Sequence, residues 1–183
     1  MITEKEYKKA KRRMLRYLRK LKIKLTDEEK ERIEVADFGL SDLKNIGLQI
    51  FTYVNTERVC AKELVLFPYQ TCPEHKHVGS ESVPAKEETF RCRYGKVYLY
   101  VEGEFAKEIK AKKFWKSDGE VTVFHEIELN AGDQYTLYPN TKHWFQAGEK
   151  GAVVSEFSTS NNDETDIFTD KRIKRIPEIA KEP

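Results

Sequence analysis

Residues 70–77 read Gln70-Thr71-Cys72-Pro73-Glu74-His75-Lys76-His77. The fold turns on how that stretch is taken. On a β-strand, residues i and i+2 point to the same face, so a strand here aims two imidazoles, His75 and His77, at one point. A bare pair of this kind also occurs on ordinary protein surfaces, and what lies downstream decides between the readings. Glu88 follows, then six residues and Gly95; Gly132 precedes a short strand-like run, then Pro139, then His143. In a small barrel, two antiparallel strand pairs bring these three imidazoles and one carboxylate into the lumen. Imidazole with carboxylate suits a divalent transition metal. Four protein ligands on a six-coordinate ion leave two positions open, as a catalytic site requires. Glu81 is a rival to Glu88 as the carboxylate ligand, but the step to Gly95 favours Glu88.

The surrounding sequence reads as a barrel. Leu48–Val54, Val59–Phe67, Thr89–Val101, Val121–Leu129, Gln134–Tyr138 and Ala152–Thr159 are rich in β-branched and aromatic residues. Gly, Pro, Asn and Asp punctuate them, as in an all-β sandwich or barrel. Residues 1–46 read as helical. Tyr7, Ala10, Met14, Tyr17, Leu18, Leu21 and Leu25 recur on one helical face. The opposite face, from Lys8 to Lys24, is basic, either a solvated surface or a patch for an acidic partner. Thr26 and Glu29 make a capping box for a second helix. The expected organisation is one domain: N-terminal helices over 1–46, packed on a barrel with a C-terminal arm over 47–183.

Composition narrows the class. The chain has 183 residues, 35% of them charged, with a net charge of +2. That balance gives no reason to expect nucleic-acid binding. No apolar run approaches the length that spans a bilayer, and the N-terminus lacks the apolar core of a signal peptide. Cys60, Cys72 and Cys92 form no disulfide framework. A cytoplasmic protein is expected.

The spacing of His75, His77, Glu88, Gly95, Gly132, Pro139 and His143 resembles the two-part cupin pattern, with a longer spacer between His77 and the carboxylate. The implied fold is mainly β: a cupin, or double-stranded β-helix jelly-roll barrel, with an N-terminal helical region. The departures point to a narrower family. The segments Lys86-Glu87-Glu88-Thr89-Phe90, Thr141-Lys142-His143-Trp144-Phe145 and Ser155-Glu156-Phe157-Ser158-Thr159, with Gln70–His77, look like those of bacterial D-lyxose isomerases. The resemblance runs from about Asp37 to Ile179. It implies a homodimer that uses Mn²⁺ and interconverts D-lyxose with D-xylulose and D-mannose with D-fructose.

Such a reaction moves a proton between C1 and C2. An ion on the sugar oxygens acidifies the C–H bond, and a base must carry the proton. Glu156 stands in an otherwise apolar and small-residue strand, where a carboxylate is costly unless it faces a polar pocket; the resemblance implies the proton-transfer role. It also implies that Lys62 contacts substrate oxygens; from the residues alone, Lys62 reads equally as a stem that covers the barrel while its amine reaches water. Asp166 can bind sugar hydroxyls or sit in a capped acidic turn. His125 reads as a surface strand residue, Phe114 and Trp115 as pocket wall or core, and Trp144 as packing behind His143. Competing readings are an iron-dependent dioxygenase on the same ligand set, a phosphosugar isomerase, and a non-enzymatic sugar-binding cupin.

Overall fold

The computed structural model describes residues 2–80, 84–162, 165–176 and 178–180. Its frame is a curled antiparallel sheet. The N-terminal region contributes β1 (Ile2–Thr3), α1 (Glu4–Lys20), α2 (Asp27–Glu31) and β2 (Glu34–Ala36). The barrel continues with β3 (Leu48–Asn55), β4 (Cys60–Leu66), β5 (Thr71–His77) and β6 (Glu88–Val101). Then come β7 (His125–Asn130), β8 (Gln134–Leu137), β9 (His143–Ser158), β10 (Asp166–Phe168) and β11 (Ile179–Ala180). Along one path the order is β10-β5-β9-β4-β3-β2, while β6 pairs with β7, β8 and β9.

Both helices form, each with its capping box, Thr3 with Glu6 and Thr26 with Glu29, but α1 ends at Lys20 and does not run on to Leu25. Ala10, Met14 and Leu18 of α1 pack on Phe51, Val65 and Val153 from the outer face of the sheet. The apolar stripe is therefore spent on the barrel, and the basic side of α1 is left to solvent. The region read as wholly helical also contains two short strands, β1 and β2. Glu34–Ala36 pairs antiparallel with Leu48–Ile50, so the sheet begins before residue 47. Three residues are too few to show a strand period.

β9 is the central element. One edge pairs with β6 along most of its length; the other pairs with β5 in its first part and β4 in its second. The sheet turns a corner where β6 and β9 cross at two glycines. Gly95 has φ +73°, and a Cβ there would lie 1.9 Å from the carbonyl oxygen of Gly151, itself at φ +75°. Only glycine tolerates both the left-handed backbone and that approach. This is the physical reason for the glycine seven positions after Glu88. Gly95→Ala is expected to cost about 3 kcal/mol or more of stability, read as a fall in the urea midpoint at unchanged slope.

Inside the barrel, Leu48, Ile50, Leu64, Phe90, Leu137 and Phe145 form the apolar floor beneath the polar cluster. A third cluster lies behind β9, where Trp144 stacks on Tyr100 at 4.0 Å between ring centroids and meets Val121 and Val123. Phe114 and Trp115 pack there against Trp144, so they serve this cluster and do not wall the central recess.

Candidate metal centre and base

β5 delivers the His pair as strand alternation requires. His75, His77 and His143 each point a ring nitrogen toward a common point, all within 4.8 Å of one another. His75 and His143 are direct cross-strand partners. Glu88, first residue of β6, completes the group. Its Oε1 lies 3.4 Å from His77 Nε2 and 3.1 Å from His143 Nε2. The structure thus brings together all four residues expected to hold a metal. Glu81 lies outside the described residues.

The protonation pattern suits a cation. His75 Nδ1 donates to the Pro73 carbonyl at 2.8 Å, and His143 Nδ1 to the Thr141 carbonyl at 3.0 Å. A carbonyl can only accept, so these rings carry hydrogen on Nδ1, which leaves Nε2 as the atom that can bind an ion. His77 Nδ1 bonds to Asp166 Oδ1 at 2.5 Å. His143 Nε2 and Glu88 Oε1 are both buried and have no hydrogen-bond partner. A cation placed between these two buried, unpartnered atoms, 3.1 Å apart, would satisfy both. By that test, three imidazole nitrogens and one carboxylate fit a divalent metal.

Charge in the cluster is strongly perturbed. Burial, with His143 and His77 nearby, drives His75 well below the usual imidazole range. For His77 burial acts downward too, but the carboxylates of Glu88 and Asp166 override it and hold the ring up at about 9. Burial would raise the Glu88 carboxyl; Lys86 and His77 overcome it and hold it well below its ordinary value. An ion at this point must expel the His77 proton. At pH 7, titration with Mn²⁺ is expected to release about one proton per ion, and affinity should fall about tenfold per pH unit on acidification below 9. Calorimetry in buffers of different ionisation enthalpy reads the release; a pH-independent affinity between 6 and 8 would show that His77 carries no extra proton in the metal-free protein.

Glu156 lies on β9 beside Lys62 of β4, its cross-strand partner. Both are buried and face the same recess. The nearest cation to Glu156, however, is Lys86. Its buried ammonium lies 2.6 Å from Glu156 Oε1 and 2.6 Å from Glu88 Oε2, while Lys62 Nζ stands 3.8 Å from Glu156 Oε1. Burial disfavours the Lys86 charge, but the two carboxylates outweigh it and hold the amine above its ordinary range. No role was read for Lys86 from the sequence. Lys86 stands two residues before Glu88, in the run that leads into β6, and both are buried while Glu87 between them is exposed.

Asp166 opens β10 opposite His77, bonds that ring through Oδ1 and lines the recess. Phe168 on the same strand stacks on His75 at 5.3 Å. His125 is exposed, with Nδ1 bonded to the Glu104 carbonyl. Cys72 is buried on the recess wall and its thiol is pushed well up by burial, which removes it as a nucleophile. Phe38, Asn161 and Arg175 also line the recess and were not anticipated.

Residues 27–183 match the family model described as D-lyxose isomerase. The chain belongs to the D-lyxose isomerase family. It is 61% identical over 179 residues to the D-lyxose/D-mannose isomerase of Thermosediminibacter oceani, covering 98% of this chain and 99% of that one. It is 55% identical over 180 residues to the D-lyxose ketol-isomerase of a Thermofilum species, covering 98% and 100% respectively. Among solved structures, the L-ribose isomerase of Cellulomonas parahominis with L-ribose superposes with a TM-score of 0.77 at 16% identity, covering 99% of this chain and 98% of that one. That likeness bears out the expected cupin-type barrel. Among the described residues, no helix is long and apolar enough to cross a membrane.

Proposed function

We propose that this chain is an aldose–ketose isomerase of free sugars that interconverts D-lyxose with D-xylulose and D-mannose with D-fructose. The observation that carries the reading is Lys86. One ammonium joins Glu88 to Glu156, so the ligand carboxylate and the base candidate face one small volume. Full-length relatives that carry the isomerase names support it.

His75, His77, Glu88 and His143 would hold one divalent ion, Mn²⁺ by resemblance to the family. When bound, that ion supplies positive charge for two adjacent sugar oxygens. Glu156 removes the C2 proton of the aldose and returns it to C1 through a cis-enediol, and the hydroxyl proton moves between O1 and O2. Lys86 and Lys62 hold Glu156 in place and present N–H donors to sugar oxygens. The apolar floor of Phe90 and Phe145 closes the recess from below, which limits exchange of the transferred proton with water.

A homodimer in the cytoplasm completes the proposal. Beyond the reach of α1, the outer face of the sheet keeps an exposed cross-strand row in which Val54 and Phe157 flank Ala61. Sedimentation equilibrium tests the dimer. The activity test removes metal with chelator, restores Mn²⁺, and assays both sugar pairs. Metal-dependent conversion is expected. Metal-bound protein inactive on both pairs would overturn the isomerase reading; oxygen consumption with bound iron would replace it by the dioxygenase.

A further inference from the structure

Glu74 is almost fully buried immediately before His75, and its carboxylate is saturated by hydrogen bonds that come from two other parts of the chain. Oε2 accepts from the backbone N–H groups of Thr122 at 2.6 Å and Val123 at 2.9 Å. Oε1 accepts from the hydroxyls of Thr122 at 2.7 Å and Thr169 at 2.6 Å. The Thr169 N–H donates to the Glu74 carbonyl at 3.1 Å, extending the β5–β10 ladder by one rung.

Each tie ends on something that orients an imidazole. Thr169 follows Phe168, which stacks on His75, and lies three residues past Asp166, which bonds His77. Val123 accepts the indole N–H of Trp144 through its carbonyl at 2.7 Å, and Trp144 adjoins His143. β10 is only three residues long, and so short an edge strand frays readily unless it is anchored. A buried carboxylate satisfied by four donors is a costly arrangement to keep, and here it ties β5, which carries two of the rings, to β10 and to the 121–123 segment.

We propose that Glu74 is a positioning residue for the metal centre, clamping β10 and the 121–123 segment against β5 so that the three imidazoles converge. This rests on the reading that the imidazole cluster holds a divalent ion. Groups hydrogen-bonded to a ligand typically change metal affinity ten- to a hundredfold, and Glu74 anchors the strand that carries one of them, Asp166.

The chemistry separates positioning from simple charge. In Glu74→Gln, the amide oxygen can accept from the two backbone N–H groups while its NH₂ donates to the two hydroxyl oxygens, so the clamp survives without the charge. Mn²⁺ affinity is measured at 25 °C by the electron-paramagnetic-resonance signal of free Mn²⁺, with hydrogen exchange of residues 166–169 read by mass spectrometry. Wild type is expected to bind one ion. Glu74→Ala should weaken binding ten- to a hundredfold and speed exchange in β10, and Glu74→Gln should stay within about threefold of wild type. Thr169→Val, which deletes one hydroxyl, covers the case in which Glu74→Ala does not fold; it should weaken binding several-fold and also speed β10 exchange. Folded Glu74→Ala with wild-type affinity, or Thr169→Val with both affinity and exchange unchanged, overturns the clamp. Wild type that binds no Mn²⁺ overturns the metal reading itself.

Discussion

Glu156→Gln is expected to lower kcat for D-lyxose isomerisation by about a thousandfold or more, with Mn²⁺ affinity and the melting temperature close to wild type. The size follows from the role. A positioned general base contributes about a hundred- to ten-thousandfold, and an amide cannot take up the carbon-bound proton at all. The selectivity follows from the geometry. The amide oxygen can still accept from Lys86, whose other partner, Glu88, is untouched. Single-turnover solvent-tritium exchange makes the test sharp, because it reads C–H cleavage directly. Activity within tenfold of wild type would move the base elsewhere, and no other described carboxylate of the recess is free of an imidazole: Glu88 faces His77 and His143, and Asp166 faces His77.

The second large effect belongs to His77. Replacing it by Gln is expected to lower Mn²⁺ affinity a hundredfold or more and to abolish activity at micromolar metal. It should also destabilise the metal-free protein, because His77 is the group held between Glu88 and Asp166. Stranding buried charge in this way typically costs about 3–5 kcal/mol, and the amide, which can still donate a hydrogen bond to one carboxylate, should hold the loss toward the lower end. Metal content after dialysis and a thermal melt read the two effects separately. A variant that retains one tightly bound ion would exclude His77 as a ligand.

The His pair was legible because strand parity acts between residues two apart, and Glu88 and His143 because glycine and proline marked the strands around them. What sequence could not show were partnerships made by distant strands. Lys86 matters because Glu156, far along the chain, arrives beside it. Asp166 reads as an acidic turn until β10 is seen lying against His77. β9 was read only from Ala152 onward, since Gly148-Glu149-Lys150-Gly151 looks like a break; in the fold it is a bend inside one strand that carries His143 at its start and Glu156 near its end. β2 was hidden for a different reason: a three-residue strand beside two well-capped helices offers no pattern to count.

The three imidazoles are not steadied in the same way. His75 and His143 are each clipped to a carbonyl two residues upstream, a restraint that lasts as long as the local backbone does. His77 borrows its restraint from an edge strand of three residues. For the proposed metal centre, heat therefore has two routes to ending catalysis: melting the barrel, or peeling that edge so that a bound ion would leave a scaffold that is otherwise intact. The second is reversible, and added metal opposes it by mass action. The working lifetime of the protein at high temperature should then depend on the free metal concentration in the medium more than on the melting point of the metal-free chain.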